Sequence, residues 1–352
     1  MTRAIVTIAA VVLAAGTGSA VTHGKTIYVD PDAAGAKNGT SWADAYKFLQ
    51  DALADANSSE KPVEIRLAQG VYKPDRKAAE PNGTGERMAT FRLINGVALQ
   101  GGYAGFGQPD PNARDIALYG TVLSGDLDAN DVDVNDPADL RDEPSRGENS
   151  YHVVTARDSD ESAVLDGIKI TGGNANGVWP NPWPYEERGG GMCNEGGGMY
   201  NEQSSPMLTG CVFTGNSAPT GGGMFNGDSD PVVGFCTFVS NSADSEGGGI
   251  YNDWSSPTIN GCLFSKNSAE SSGGGMANRY GSPLVEDCIF SENCTGIGGG
   301  IYNSQSNSTI IRCVFVGNSC NGMGAGMWNS RSDAILPCVP RQLNDWQAQK
   351  LP

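Results

Sequence analysis

Apolar residues in the second half of the chain come in short pieces separated by Gly, Ser, Asn or Pro. Residues 250–252, 257–259 and 262–264 are three such pieces within one stretch. No apolar spacing of about 3.6 residues survives between the glycines and asparagines, which argues against helical repeats. The pattern predicts three short strands in each repeat, with a corner after every strand.

Two motifs recur together along this region. Gly-Gly-Gly-apolar-x-Asn begins at Gly196 and returns after 25, 26, 26, 25 and 26 residues, with a degenerate last copy at Gly324. Cys-x-Phe-x-x-Asn begins at Cys211 and keeps the same step. A unit of this length cannot bury its own core but can stack on similar neighbours. We therefore predict an all-β fold, a right-handed parallel β-helix solenoid in which each repeat is one coil.

Residues that recur once in every coil should stack into columns. Cysteine and phenylalanine, two positions apart, are expected to point inward. Asparagines are expected at the corners, because Asn tolerates left-handed backbone angles and its amide can bond to the next Asn in the stack. The predicted columns are Cys211, Cys236, Cys262, Cys288 and Cys313, and Asn201, Asn226, Asn252, Asn278 and Asn303.

The rest of the chain divides by composition. Residues 1–20 have a basic start and a short apolar run ending in small residues, which is typical of a secretory signal peptide, with a membrane anchor as the alternative. We expect an N-terminal cap and first irregular coils over 21–125, an acidic loop over 126–150, regular repeats over 151–340 and an irregular tail over 341–352. The protein should then be secreted or lie at the cell surface, with no transmembrane segment after signal removal.

A helix is predicted over residues 41–53, opened by Ser41 and placing Trp42, Ala45, Leu49 and Leu53 on one face. This N-terminal capping helix would cover the open end of the stack and protect its strand edges. Strands are predicted at residues 26–30, 64–67, 91–94, 97–100 and 121–123.

The paired signatures Phe-x-x-Asn, as in residues 213–216, and Gly-Gly-Gly-Ile/Met, as in residues 247–250, resemble the short repeats of polymorphic outer membrane proteins. More broadly, residues 25–330 are similar to secreted bacterial right-handed β-helix proteins of the pectin-lyase-like superfamily. This resemblance implies the fold, but it specifies an activity only weakly. For a pectate-type elimination it would imply a basic residue close to calcium-binding carboxylates.

Charge and histidine content exclude several functions. The chain carries 23 Lys and Arg against 40 Asp and Glu, a net charge of −17, so its surface should repel nucleic acid. With only two histidines, His23 and His152, it offers little for histidine-based catalysis or a histidine-rich zinc site.

The acidic stretch between residues 126 and 143 is a candidate calcium site, because closely spaced carboxylates suit a hard cation. The EF-hand pattern is not met, since Asp136 stands where its glycine is needed. A solvated acidic loop is the alternative. The candidate ligands are Asp126, Asp128, Asp131, Asp133, Asn135 and Asp142.

An insertion at residues 177–188 interleaves aromatic residues with proline and interrupts the repeat. Exposed aromatic faces can stack on sugar rings, so this loop is a candidate glycan-binding site. The alternative is that these rings pack on the flank of the coils. The candidate residues are Trp179, Trp183, Tyr185, Glu186 and Glu187.

The cysteines of the repeat are expected to be buried thiols, because neighbouring in-register positions seldom offer disulfide geometry. Cys294 and Cys320, on a corner of successive coils, are the best disulfide candidates, and Cys193 is left unassigned. An odd total of nine leaves at least one thiol free.

The leading hypothesis is a secreted or cell-surface β-helix protein that binds carbohydrate or a cell-envelope partner, without demonstrable catalysis. The alternative is a polysaccharide lyase or glycoside hydrolase acting on the side of the solenoid. A purely structural surface repeat is a third hypothesis. No spacing of acids singles out catalytic residues, and calcium is the one cofactor that the sequence suggests.

Overall fold

The computed structural model describes residues 24–177 and 195–335. Within them the chain winds through parallel strands that form four sheets, which we name A, B, C and D in the order in which a coil visits them. The predicted all-β right-handed parallel β-helix is therefore confirmed.

Sheets A and B follow each other around the coil. Sheet A contains Lys25–Val29, Val63–Ala68, Val97–Tyr103, Val164–Asp166, Met207–Thr209, Val232–Gly234, Thr258–Asn260, Leu284–Glu286 and Thr309–Ile311. Sheet B contains Gly70–Tyr72, Thr121–Ser124, Lys169–Thr171, Val212–Thr214, Thr237–Val239, Leu263–Ser265, Ile289–Ser291 and Val314–Val316.

Sheets C and D complete the coil. Sheet C contains Ser217–Thr220, Ser242–Glu246, Ser268–Ala269, Cys294–Thr295 and Ser319–Cys320. Sheet D contains Phe91–Arg92, Val154–Arg157, Met199–Glu202, Met224–Gly227, Ile250–Asp253, Met276–Arg279, Ile301–Ser304 and Met327–Ser330. The sequence predicted three strands in each coil and missed sheet C, because its short Ser- and Ala-rich segments have weak strand propensity.

The glycine triplet carries the chain from sheet C to sheet D. Gly247 has a φ of +70°, in the left-handed region that favours glycine. A Cβ on Gly248 would lie 2.2 Å from the carbonyl oxygen of Ser268. Coils approach too closely here for any side chain, which explains why the triplet repeats.

The cysteine and phenylalanine columns lie inside the solenoid. Phe213, Phe238, Phe264 and Phe290 are fully buried, and Phe315 is the last ring of the stack. Neighbouring ring centroids are 4.7, 5.0, 4.6 and 5.0 Å apart along the column. Cys211, Cys236, Cys262 and Cys288 are buried free thiols, and Cys313 is partly exposed. The residues that recur once in each coil thus pack on one another as the core.

Two asparagine columns run parallel to the phenylalanine stack. In the column of Asn201, Asn226, Asn252, Asn278 and Asn303, each Nδ2 donates to the Oδ1 of the asparagine in the next coil at 2.7 to 2.8 Å. In the column of Asn216, Asn241, Asn267, Asn293 and Asn318, the same bond measures 2.8 to 3.0 Å.

The predicted bonds between successive asparagines are confirmed, and the Asn216 column lies at the predicted corner, between sheets B and C. The prediction that these asparagines adopt left-handed backbone angles was wrong. The Asn201 column lies inside the strands of sheet D. Positive φ falls instead on neighbouring residues, such as Phe235 at +53°, Ser240 at +54° and Trp254 at +52°. The buried amides are needed for the bonds between coils, so the bend is displaced to positions whose side chains face solvent.

The helix spans Leu49–Ser58 rather than residues 41–53. Tyr46 bridges to the first strand of sheet A, with its N–H donating to the Tyr28 carbonyl at 2.9 Å, which keeps the preceding segment out of the helix. Ser41 and Asp44 bond to each other in a turn instead of opening a helix.

The helix nevertheless packs on the core. Leu49, Ala52, Leu53 and Ala56 are buried in the same cluster as the strands of sheet A. Trp42 lies outside that cluster, between Tyr28 and Tyr103. That the helix protects an open end of the stack stays a prediction.

Cys294 and Cys320 are both free thiols, so the predicted disulfide between them is wrong. Cys294 lies opposite Ser319, whereas Cys320 lies opposite Thr295. A register offset of one residue turns the two side chains to opposite sides of the sheet.

The proposed signal peptide at residues 1–20, the tail at 341–352 and Cys193 lie outside the described residues. Within the described ranges, no helix is long and apolar enough to cross a bilayer.

Candidate functional site

The outer side of sheet D and the corner that follows it carry aromatic and charged side chains that lie outside the main core. We call this surface the sheet D flank. It is built from columns, because each position in one strand lies beside the same position in the next strand. The second and fourth residues of each strand face outward, since the first and third face the core.

The second strand position forms an aromatic stack. Tyr200, Phe225 and Tyr251 lie one above another, with ring centroids 5.4 and 5.6 Å apart. Together with Ala277 they form an apolar cluster separate from the main core. The three rings are buried, so they form a second apolar cluster on the outer side of sheet D.

The fourth strand position carries charge. Arg157 pairs with Glu202 at 2.7 Å, and Arg279 pairs with Glu246 of sheet C at 2.6 Å. The hydrogen bond to Glu246 raises the pKa of Arg279. Burial raises the pKa of Asp253, although the guanidinium of Arg279 opposes this effect. The flank therefore combines two ion pairs with one carboxyl, Asp253, whose pKa is raised.

Glu195, which bridges to Thr220 of sheet C just before the chain enters sheet D, is the most perturbed carboxyl near this flank. Burial, followed by the charges of Asp253 and Glu202, raises its pKa to about 7. Its Oε2 is buried and has no hydrogen-bond partner among the described residues. At neutral pH this side chain can exist in either protonation state, which suits a general acid or base.

An exposed aromatic pair lies at the corner after sheet D. Trp254 and Tyr280 are 62% and 41% exposed, and their rings stack with centroids 4.7 Å apart and planes 17° from parallel. Both residues have left-handed backbone, with φ of 52° and 56°. The Trp254 N–H donates to the Arg279 carbonyl at 3.0 Å, so the bend belongs to the ladder between coils.

Polar residues occupy the same corner in the flanking coils. Gln203, Asp228 and Gln305 share the left-handed backbone and are exposed. The aromatic pair is thus bordered along the solenoid axis by amide and carboxylate groups. Such a surface can stack on a flat apolar face and hydrogen-bond to its rim.

The predicted glycan-binding residues Trp179, Trp183, Tyr185, Glu186 and Glu187 lie outside the described residues. Sequence reasoning missed Trp254, Tyr280 and Glu195. The signal for the first two was an aromatic residue two positions after the asparagine of the glycine motif, where other coils have Gln, Asp or Arg.

The structure brings together only part of the predicted calcium set. Asp126 and Asp131 lie in one cluster with Glu148, which sequence reasoning did not select. Asp128, Asp133 and Asp142 are not members of that cluster, and Asn135 is exposed to solvent. Glu148 was missed because it lies beyond the acidic run and reaches the cluster only when the loop folds back.

Comparisons with known proteins agree with the architecture. Residues 149–315 match the family described as right handed beta helix region. No curated protein matches the chain. Solved structures with a similar course include pectate lyase Pel9A, with 12% identity and a TM-score of 0.46 over 89% of this chain and 76% of that chain.

Two pectin methylesterases are also similar in course. PemA from Erwinia chrysanthemi has 10% identity and a TM-score of 0.40, covering 92% of each chain. The enzyme from Aspergillus niger has 14% identity and a TM-score of 0.35, covering 93% of this chain and 94% of that one. By its parallel sheets and the match over residues 149–315, this chain has the fold of a right-handed parallel β-helix.

Proposed function

We propose that this protein is secreted or held at the cell surface, and that it binds a polysaccharide along the sheet D flank. The observation that carries the proposal is the exposed, stacked pair Trp254 and Tyr280. Sugar rings present flat C–H faces that stack on aromatic rings, while their hydroxyl groups need hydrogen-bond partners at the edge. Asp228 and Gln305, one coil away on either side, can supply those partners.

The backbone conformation of Trp254 and Tyr280 also favours a role in binding. Bulky residues are uncommon in the left-handed region, where a non-glycine residue costs roughly 1 to 2 kcal/mol. Both Trp254 and Tyr280 adopt this strained backbone conformation, and much of each ring is exposed to solvent. A role in the core does not explain them, because neither ring belongs to a buried cluster. A ligand that stacks on the two rings would remove this exposed apolar surface from water, which accounts for its presence.

The test uses affinity electrophoresis and calorimetry with soluble plant and bacterial polysaccharides, neutral and acidic. The variants Trp254→Ala and Tyr280→Ala should each weaken binding about 10-fold, close to 1.4 kcal/mol. Phe235→Ala is the matched control, because Phe235 is 70% exposed with a φ of 53° but lies at the corner between sheets A and B. Unchanged binding by both flank variants, or no binding by the wild type, contradicts the proposal.

Hydrolysis on the same flank is a second candidate, favoured by Glu195. A carboxyl whose pKa is raised to about 7, by burial and then by the charges of Asp253 and Glu202, can be protonated at neutral pH as the general acid of glycoside hydrolysis must be. Release of reducing ends, reduced at least 100-fold in Glu195→Gln, would support it. Unsaturated products would indicate a lyase, and retained activity in Glu195→Gln would exclude Glu195 as the acid.

Export is tested separately. A fusion of residues 1–20 to a reporter should carry that reporter out of the cytoplasm, as the apolar run and small residues predict. Retention in the cytoplasm contradicts this part of the proposal.

A further inference from the structure

The acidic loop at residues 126–150 folds against the coils rather than projecting into solvent. Arg146 is buried, and its Nη2 donates to the carbonyls of Gly173 and Gly215, each at 3.0 Å. Arg141 forms an ion pair with Asp244 of sheet C. The 3₁₀ helices Pro137–Leu140 and Pro144–Arg146 shape the loop between these anchors.

Three carboxylates of this loop lie close together. Asp126, Asp131 and Glu148 each offer an oxygen, and these oxygens lie within 4.8 Å of one another. The Asp126 carboxylate also accepts the N–H of Asn130 at 3.1 Å and that of Asp131 at 3.4 Å. The backbone therefore holds Asp126 in place at the cluster.

A buried amide adjoins the cluster and points independently to a ligand. Asn149 is fully buried, and its Nδ2 donates to both carboxylate oxygens of Asp131, at 3.2 and 3.0 Å. Its Oδ1 is buried and has no hydrogen-bond partner among the described residues. The Oε1 of Glu148 is likewise buried without a partner there. Buried acceptors without donors are costly, and a cation would satisfy both oxygens.

The local charge is unbalanced. Arg146 pairs with Asp131 at 3.2 Å, which offsets one of the three carboxylates. Lys73, whose ammonium donates to the carbonyl of Leu127 at 2.9 Å, lies near Asp126 and offsets a second charge. A divalent cation would offset the negative charge that remains at the cluster.

We propose that Asp126, Asp131, Glu148 and the amide oxygen of Asn149 bind a divalent cation of the calcium class. All four donors are oxygens, which favours Ca²⁺ over metals that prefer nitrogen or sulfur. Water would complete the coordination shell, since calcium takes about six to eight oxygens. The ion would fix the loop at residues 126–150 against the coils through Arg146.

The test measures Ca²⁺ binding by calorimetry and thermal unfolding of the full-length protein in calcium and in chelator. We expect a Kd of roughly 10⁻⁵ to 10⁻³ M and an upward shift in Tm of several degrees at saturating calcium. Limited proteolysis should cut residues 126–150 faster in chelator than in calcium.

Glu148→Gln keeps the shape of the side chain and should abolish the Tm shift, while leaving the Tm in chelator within a few degrees of the wild type. Asp128→Asn is the matched control, because Asp128 lies in the same loop but outside the cluster. This control should keep the full shift. No heat of binding at millimolar calcium, an undiminished shift in Glu148→Gln, or an equal loss in Asp128→Asn would each overturn the proposal.

Discussion

Replacing Asn267 by aspartate tests the asparagine column directly. The side chain of Asn267 donates to the Phe238 carbonyl at 2.9 Å and to Asn293 Oδ1 at 3.0 Å. Its own Oδ1 accepts the N–H of Asn241 at 3.1 Å and Nδ2 of Asn241 at 3.0 Å. Asn267→Asp preserves the shape and both accepting bonds but removes both N–H donors.

The loss of stability should depend strongly on pH. At pH 4 a protonated aspartate can still donate one bond, so the variant loses about 1 kcal/mol. Burial raises the folded-state pKa of the new carboxyl above its unfolded value of about 4. Stability is therefore retained below pH 4 and falls by about 1.4 kcal/mol for each pH unit up to the folded pKa. With an upward shift of about 3 units, the added loss near pH 8 is about 4 kcal/mol.

The assay is urea unfolding followed by circular dichroism at pH 4 and pH 8, with wild type and variant compared at each pH. Asn318→Asp is the matched control, because Asn318 is only part-buried and ends the described column, where its Nδ2 donates to the Phe290 carbonyl. Its loss at pH 8 should be less than half that of Asn267→Asp. Equal losses at the two pH values, or equal losses at the two sites, would refute the reasoning.

Three further changes have defined outcomes. Phe264→Ala should lower the free energy of unfolding by about 3 to 5 kcal/mol in urea titrations. Phe315→Ala should lower it by less, because Phe315 is 8% exposed whereas Phe264 is fully buried. Exposed Cys294 should react with a maleimide in native protein, whereas Cys262 should react only after unfolding, as peptide mass spectrometry would show. Glu195→Gln should match wild-type stability below pH 4.5 and exceed it by about 3 kcal/mol at pH 8, because the raised pKa of about 7 costs the folded wild type stability as pH rises through it. No gain at pH 8 would contradict the assignment of Glu195.

The coil architecture was predictable because the same two motifs recur in successive coils, so that each copy indicates the same coil length. A step of 25 or 26 residues, kept by both motifs, fixes which residues stack, and alternation then assigns Phe264 and Cys262 to the interior. The start of the N-terminal helix was predicted wrongly, because it depends on a tertiary contact that the local sequence pattern does not show. Tyr46 pairs with a strand distant in sequence, which overrides the apolar spacing that suggested an earlier start.

The candidate sites were harder to predict, because they depend on which coils lie side by side and on how the loops fold back against the coils. Trp254 and Tyr280 are 26 residues apart, and only the stacking of coils makes them a pair. Glu148 joins Asp126 and Asp131 only after the loop closes on Arg146. The acidic composition of the loop was visible, but its geometry was not.

The separation of inward and outward columns has an evolutionary consequence. Whole coils could be gained or lost by duplication or deletion of one repeat unit, since the interior of each coil already matches its neighbours on both sides. Each such event would lengthen or shorten the external surface by one step of about 4.8 Å while the interior stayed intact. If the proposed polysaccharide binding holds, its specificity could change one coil at a time, through substitutions at the solvent-facing corner alone.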